Sequence, residues 1–397
     1  MLAYGMNYMD RSVLGLIGEA MKTDMGLSDA QLGLVNSILL ISLIFLVVPS
    51  AIANDVFKRR NMIGLATGIW GCAMAGTAAA TGLFSLTLAR VFAGVNEAVI
   101  NPGSIAWLSQ LYPASQRGRI LGIFQMSSPL GMALGTLLGG VILALTGSWR
   151  LCFAVFILPA FALAFLIPRL PDSQAGVTGS MSADFRALLR KRSILITGLA
   201  VGFFSIIEYS YQTWMPVLLI RAYDIDVRYV GVIAAVFLVV GVFGSLLGGL
   251  FSDFRARRSP AGRTRAAALS IGLVVLSKAV FYHLMGRVSL PVLCVVGVID
   301  GIILMMPIPM YLSIIQDVVS SRQRSSALGV MGMVCFVSGI AWGPLLAGAL
   351  SEYFGGGFAG LLLALKVLLV FGVASSLILL SVQGIFLKEK AEVRQDC

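Results

Sequence analysis

The chain has 397 residues, 58% of them hydrophobic and only 12% charged, with a formal net charge of +11. Soluble domains carry about 25% charged residues, so the composition excludes a soluble globular protein and points to lipid as the solvent. The basic excess is gathered between apolar runs, which makes it a topology signal rather than a nucleic-acid footprint.

Apolar runs of about 20 residues suffice to cross a hydrocarbon core as helices. About twelve are predicted, at residues 2–21, 31–54, 61–81, 83–107, 119–146, 150–168, 194–220, 229–252, 265–285, 289–316, 325–350 and 358–386. With the N-terminus inside, most Lys and Arg residues fall in cytoplasmic segments, so both termini are expected to be cytoplasmic.

The first span holds Asn7-Tyr8-Met9-Asp10-Arg11. Charges at bilayer depth cost roughly 2.5–3.5 kcal/mol each and persist only if paired or facing a polar cavity. The span lacks a signal peptide's basic n-region and cleavage site, so it is expected to remain in the mature protein. The second span ends in Asp55-Val-Phe-Lys-Arg59-Arg60. The fourth holds Arg90 and Glu97, seven residues apart and so on nearly the same face. A helical rise of about 10.5 Å separates their backbones, too far for mutual neutralisation. Asp10 and Arg11 supply one partner of each sign, and the economical pairing is Asp10 with Arg90 and Arg11 with Glu97.

The fifth span carries Gly131-x-x-x-Gly135-x-Leu137-Leu138-x-Gly140, small residues at a spacing that lets helices approach closely in lipid. Hydrophobicity then collapses over residues 169–192 into a polar, basic linker. In the seventh span Ser205, Glu208, Tyr211 and Gln212 share a stripe suited to lining a polar cavity, with Trp214 beyond. The eighth ends in Asp253-Phe-Arg-Ala-Arg257-Arg258. Lys278 and Asp300, in the ninth and tenth, either pair or snorkel toward an interface, and Pro307 and Pro309 are expected to bend or break the tenth. The eleventh repeats the glycine pattern as Gly339-x-x-x-Gly343-x-Leu345-Leu346-x-Gly348.

The two Asp-x-x-x-Arg-Arg segments and the two glycine patterns lie at equivalent places six spans apart, so the chain reads as an internal repeat. The expected fold class is an all-α polytopic membrane protein of two six-helix bundles related by pseudo-two-fold symmetry. Residues 1–168 form the first bundle, 169–192 a cytoplasmic linker, 193–387 the second bundle and 388–397 a cytoplasmic tail.

On these motifs the chain resembles the major facilitator superfamily over essentially its whole length. The Asp-x-x-x-Arg-Arg segments look like its gating motif, which implies gating roles for Asp55, Arg59, Arg60, Asp253, Arg257 and Arg258; Ala51, Val56 and Lys58 depart from the usual Gly, Arg and Gly. The fifth span resembles the antiporter motif, but Thr136 replaces its proline, which speaks against an exchanger. Asn7 to Arg11 with Arg90-x-x-x-Gly94-x-x-Glu97-Ala98 resembles both the anion:cation symporters and the spinster-like lipid transporters. Trp214-Met215-Pro216 and the Arg-rich loop to Arg265 lean toward the symporters.

The five cysteines (Cys72, Cys152, Cys294, Cys335 and Cys397) are scattered without a CxxC spacing, so neither a metal site nor a disulfide framework is indicated. No HExxH, GxSxG or Walker loop is present; the chain is not read as an enzyme, no cofactor is expected, and a proton is the expected coupling ion. Glu97, with Asp10 and Arg90, is the candidate proton-coupling set. Arg11, Asn7, Glu208, Tyr211 and Gln212 are the candidate substrate-binding set.

The expected function is proton-coupled symport of a small organic anion, a carboxylate or sugar acid, by alternating access. The alternatives are a spinster-like transporter or exporter of lysolipids or amphiphilic drugs, and a non-transporting membrane sensor. The expected setting is a bacterial inner membrane, with the protein a monomer in the lipid bilayer, a small anionic molecule as its partner, and no nucleic acid bound.

Overall fold

The computed structural model describes residues 1–171, 188–319 and 323–395, and all regular structure among them is helical. In chain order the helices are α1 (Leu2–Leu16), α2 (Gly18–Met25), α3 (Asp29–Val56), α4 (Arg59–Ala78), α5 (Leu83–Leu111), α6 (Ala114–Thr146), α7 (Trp149–Ala154) and α8 (Ile157–Leu166). They continue as α9 (Arg192–Tyr223), α10 (Val227–Arg258), α11 (Gly262–Leu284), α12 (Leu290–Met305), α13 (Pro307–Asp317), α14 (Arg324–Cys335), α15 (Gly343–Tyr353), α16 (Gly357–Ser381) and α17 (Gln383–Gln395). Residues 172–187 of the expected linker lie outside the described residues.

Local chemistry sets several boundaries. Ser28 and Gln31 form a reciprocal capping box that starts α3, with Oγ of Ser28 accepting from the Gln31 N–H at 3.2 Å and Oε1 of Gln31 accepting from the Ser28 N–H at 2.9 Å. Gly26 and Gly147, at φ of 65° and 67°, end α2 and α6 in the left-handed conformation that glycine adopts without strain. Pro307 lacks an N–H and divides the tenth span into α12 and α13. The eleventh span passes through a wide π turn at Phe336–Ile340 between α14 and α15.

Among the described residues, ten helical segments are long and apolar enough to cross a membrane. The first predicted span is split at Ile17 and carries charges, and α4 is rich in Gly, Ala and Thr, so these two stand outside that group. The twelfth span ends at Ser381 rather than 386. Residues 388–395 of the predicted tail lie in α17, where Lys390 reaches Asp317 at 2.6 Å and Glu389 accepts from the N–H and hydroxyl of Ser193.

The helices gather into two compact units: Met1–Thr178 with Gln212–Ala235, and Gly179–Tyr211 with Val236–Cys397. The segment Gln212–Ala235, expected in the second bundle, therefore groups with the first. Close backbone approaches explain this: Gly15 faces the carbonyls of Gln212 and Thr213, and Gly231 faces the carbonyl of Thr136.

Within the first unit α1 packs along α6, α5 receives α3 and α4, and α8 lies on α4. Tyr4, Val99, Ile100 and Phe124 are core residues there. The glycine pattern seats α1: a Cβ on Gly131 would stand 2.2 Å from the Gly5 carbonyl oxygen, and one on Gly135 2.5 Å from that of Met9. The second unit repeats the device between the eleventh span and α9, where Gly339 faces the Gly202 carbonyl and Gly343 that of Ile206.

Candidate functional site

Held against α6 by Gly5, Met9 and Ser12, α1 turns Asn7 and Asp10 into the bundle, where both are fully buried. Asp10 accepts from Arg90 Nη1 at 2.8 Å through Oδ1 and from Trp70 Nε1 at 3.3 Å through Oδ2. Arg90, also fully buried, donates through Nη2 to Thr77 Oγ1 at 2.9 Å, and its guanidinium lies 4.9 Å from the Phe153 ring centroid. Four helices thus converge on one enclosed pair whose polar atoms are largely satisfied.

The second pair is different. Arg11 Nη1 donates to Glu97 Oε1 at 2.7 Å, with side-chain exposures of 15% and 9%. The Arg11 guanidinium lies 5.3 Å from the Tyr8 ring centroid. Oε2 of Glu97 has no hydrogen-bond partner, and neither do the amide nitrogen and oxygen of Asn7. The pairing follows the helical spacing: Asp10 meets Arg90 and Arg11 meets Glu97. A partly open ion pair with an unused carboxylate oxygen can gain a proton or exchange its anion, whereas the enclosed pair has little room for either.

The remaining expected substrate-binding residues lie on α9. Glu208 and Tyr211 belong to the second unit and are buried, while Gln212 is partly buried and groups with the first. Lys278 pairs with Asp300 at 2.5 Å rather than snorkelling. Of the expected gating residues, Arg59 donates to Gln110 at 2.5 Å and Arg60 to the Leu170 carbonyl at 2.8 Å. Asp253 pairs at 3.0 Å with Arg263, ten residues on, rather than with Arg257 or Arg258. Arg258 instead lies over the Phe254 ring. The side chain of Asp55 lies outside the described residues. Among the described residues no cluster of His, Cys, Asp or Glu could hold a metal ion.

Two features were missed in the sequence. Trp70 and Thr77, seven residues apart on one face of α4, clamp the Asp10–Arg90 pair. Near the end of α2, Arg221 donates to Glu19 Oε2 at 2.8 Å and to both oxygens of Asp29, at 2.8 and 3.1 Å, while Lys22 also reaches Asp29. Beside it Asp24 receives Trp149 Nε1 at 3.0 Å and Arg150 Nη1 at 2.5 Å. These hydrogen bonds, Trp149's first, hold the Asp24 carboxyl below the ordinary aspartate range.

A model of the Major Facilitator Superfamily matches residues 1–342. The Hexuronate transporter of Bacillus subtilis (strain 168) is 26% identical over 388 residues, 93% of this chain and 90% of its own length. Protein spinster homolog 3 of Danio rerio is 25% identical over 377 residues, 87% of this chain and 74% of its own. The solved structure of a bacterial homolog to the human lysosomal transporter Spinster, inward-facing and unoccupied, shares the fold at a TM-score of 0.80. It is 20% identical, and the match covers 100% of this chain and 96% of that one.

Proposed function

The chain belongs to the Major Facilitator Superfamily, and from that premise we propose that it moves a small organic anion, a sugar acid or other carboxylate, by proton-coupled symport. It is an integral membrane transporter rather than an enzyme. The observation that carries the finer reading is the partly open Arg11–Glu97 pair with its unpartnered Oε2.

Arginine stays charged throughout, so only the carboxylate can change state. A proton added to Glu97 gives a neutral acid and removes the negative charge that this carboxylate presents to the Arg11 guanidinium. A substrate carboxylate then takes that place, so one proton and one anionic group enter together with no net charge left in the membrane. When the proton leaves, the Glu97 carboxylate re-forms its pair with Arg11 and displaces the anion. Asp10 and Arg90 hold and tune this pair from one side. The hexuronate relative fits this chemistry.

The distribution of Lys and Arg supports placing both termini in the cytoplasm, and we assign the protein to a bacterial inner membrane as a monomer. Asp55, Arg59 and Arg60, with Asp253, Arg257 and Arg258, are assigned to gating at cytoplasmic helix ends. The spinster relative favours a second reading, a lysolipid or amphiphile as cargo. Thermal-shift screening against sugar acids, monocarboxylates and lysophospholipids separates the two.

The mechanism is tested with Glu97→Gln in proteoliposomes. The variant is expected to lose accumulation driven by a pH gradient while retaining substrate exchange. Undiminished pH-driven uptake would overturn the role of Glu97.

A further inference from the structure

The Arg11–Glu97 pair accounts for a carboxylate and a proton, but not for the rest of a cargo molecule. Rising numbers along α5 go with falling numbers along α1. Asp10 meets Arg90, Arg11 meets Glu97, and Ala3 and Tyr4 share a core with Val99 and Ile100. The descending order of partners makes the contact antiparallel, higher numbers on one helix facing lower numbers on the other. Residues one turn beyond the ion pair therefore lie at the same level on both helices. On α1 that residue is Asn7, four before Arg11; on α5 it is Asn101, four after Glu97.

Both are carboxamides with unused polar atoms. Asn7 is wholly buried, and neither its amide nitrogen nor its oxygen has a hydrogen-bond partner. Asn101 is partly buried, and its Oδ1 has no partner either. A buried donor or acceptor left unmet costs about 1–3 kcal/mol, and native proteins keep few of them. Leucine has nearly the shape of asparagine and would occupy either position without that cost. The polar level is also bounded, because the core of Ala3, Ile63, Val99 and Ile100 follows directly beyond it.

A helical side chain leans over the turn on its N-terminal side, so Arg11 covers Asn7. When Arg11 turns from Glu97 to a substrate carboxylate, the amide beneath it becomes reachable. One helical turn rises about 5.4 Å, so a cargo anchored by its carboxylate at Arg11 lays its carbon chain along the two amides. A carboxamide both donates and accepts. That matches a hydroxyl, which does the same, and does not match hydrocarbon. Being neutral, the amides give no attraction to a second charge.

We propose that Asn7 and Asn101 form a hydroxyl-reading pair, which makes the carrier selective for polyhydroxy carboxylates over plain ones. The proposal rests on the anion-symport reading and specifies the cargo of that same site. The selectivity has two sources: a sugar acid satisfies the amides, and a plain acid or alkyl chain enters the site and leaves them unmet.

Isothermal titration of the purified protein with glucuronate and with cyclohexanecarboxylate tests this, since the second acid keeps the ring and the carboxylate and lacks the hydroxyls. Wild type is expected to prefer glucuronate. Asn101→Leu and Asn7→Leu are each expected to weaken glucuronate binding roughly ten-fold and to leave cyclohexanecarboxylate unchanged or tighter. Asn101→Gln, which keeps the amide on a longer stem, should recover part of the preference. Asn101 is the less buried of the two, so Asn101→Leu serves if Asn7→Leu does not fold. An unchanged preference in Asn101→Leu, or an equal loss of both acids, would overturn the proposal. Equal binding of the two acids by wild type would also overturn it while leaving the anion-symport reading intact. Binding of neither acid would remove that reading and the proposal with it.

Discussion

Arg90 and Arg11 carry the same charge on neighbouring helices, and their surroundings assign them different work. Arg90 is locked by Asp10, Thr77 and the Phe153 ring with no exposed surface, whereas Arg11 meets Glu97 at a partly open position. Removing one partner of a buried pair costs about 3–5 kcal/mol, because the other charge is stranded. Arg90→Ala is therefore expected to lower thermal stability sharply, and the paired change Asp10→Asn with Arg90→Met much less. Arg11→Ala should unfold at nearly the wild-type temperature but lose anion binding, with thermal denaturation and ligand-induced shifts as the readouts. The four charges and their pairing were legible in the sequence because helical spacing and cost at bilayer depth are local properties. Trp70 and Thr77 were not, because a neutral donor on another helix announces nothing until the helices are packed.

The glycine pattern acts at the scale of elements. At Gly131 and Gly339 a carbonyl of the neighbouring helix occupies the space of a side chain. Gly339→Val should force α9 away from the eleventh span and lower the yield of folded protein. At Gly329, on α14, nothing lies within 4 Å of an added Cβ, so Gly329→Ala should be neutral or stabilising by about 0.5–1 kcal/mol, the ordinary helical penalty of glycine. Equal effects at the two sites would contradict the packing role. The pattern was legible as a repeat, but which helix it received was not, since spacing names a face and not its partner. The division at Pro307 followed from a missing N–H, while the breaks at Ile17 and Ser381 carry no such marker.

At the same scale, Asp24 links the end of α2 to α7 through Trp149 and Arg150. Its carboxyl is held below the ordinary value of 3.8, so the folded state binds its proton less readily than the unfolded chain. The resulting stability is fully present above that value and is lost as pH falls through the depressed one. Acid titration of thermal stability should therefore show a step in this range that is absent from Asp24→Asn.

For the whole molecule, the informative feature is that α9 contributes to both units, Arg192–Tyr211 to one and Gln212–Tyr223 to the other. Arg221, bound to both Glu19 and Asp29, fastens the latter segment to α2 and α3. Arg221→Ala should speed amide exchange over Gln212–Tyr223 and leave Arg192–Tyr211 unaffected; uniform exchange along α9 would argue against a fastening at this point. The sequence made the two-fold repeat plain, but not this division. It depends on contacts that exist only once the chain is folded: the close approaches at Gly15 and Gly231, and Arg221's bonds to residues 192 and 202 positions away.

Proton-driven movement of an anion is tested most directly by uptake of a radiolabelled sugar acid into proteoliposomes under an imposed inward proton gradient, with and without a protonophore. The expected result is accumulation above the external concentration that collapses when the gradient is discharged. Uptake that only equilibrates and ignores the protonophore, or no uptake alongside transport of a lysolipid, would contradict it.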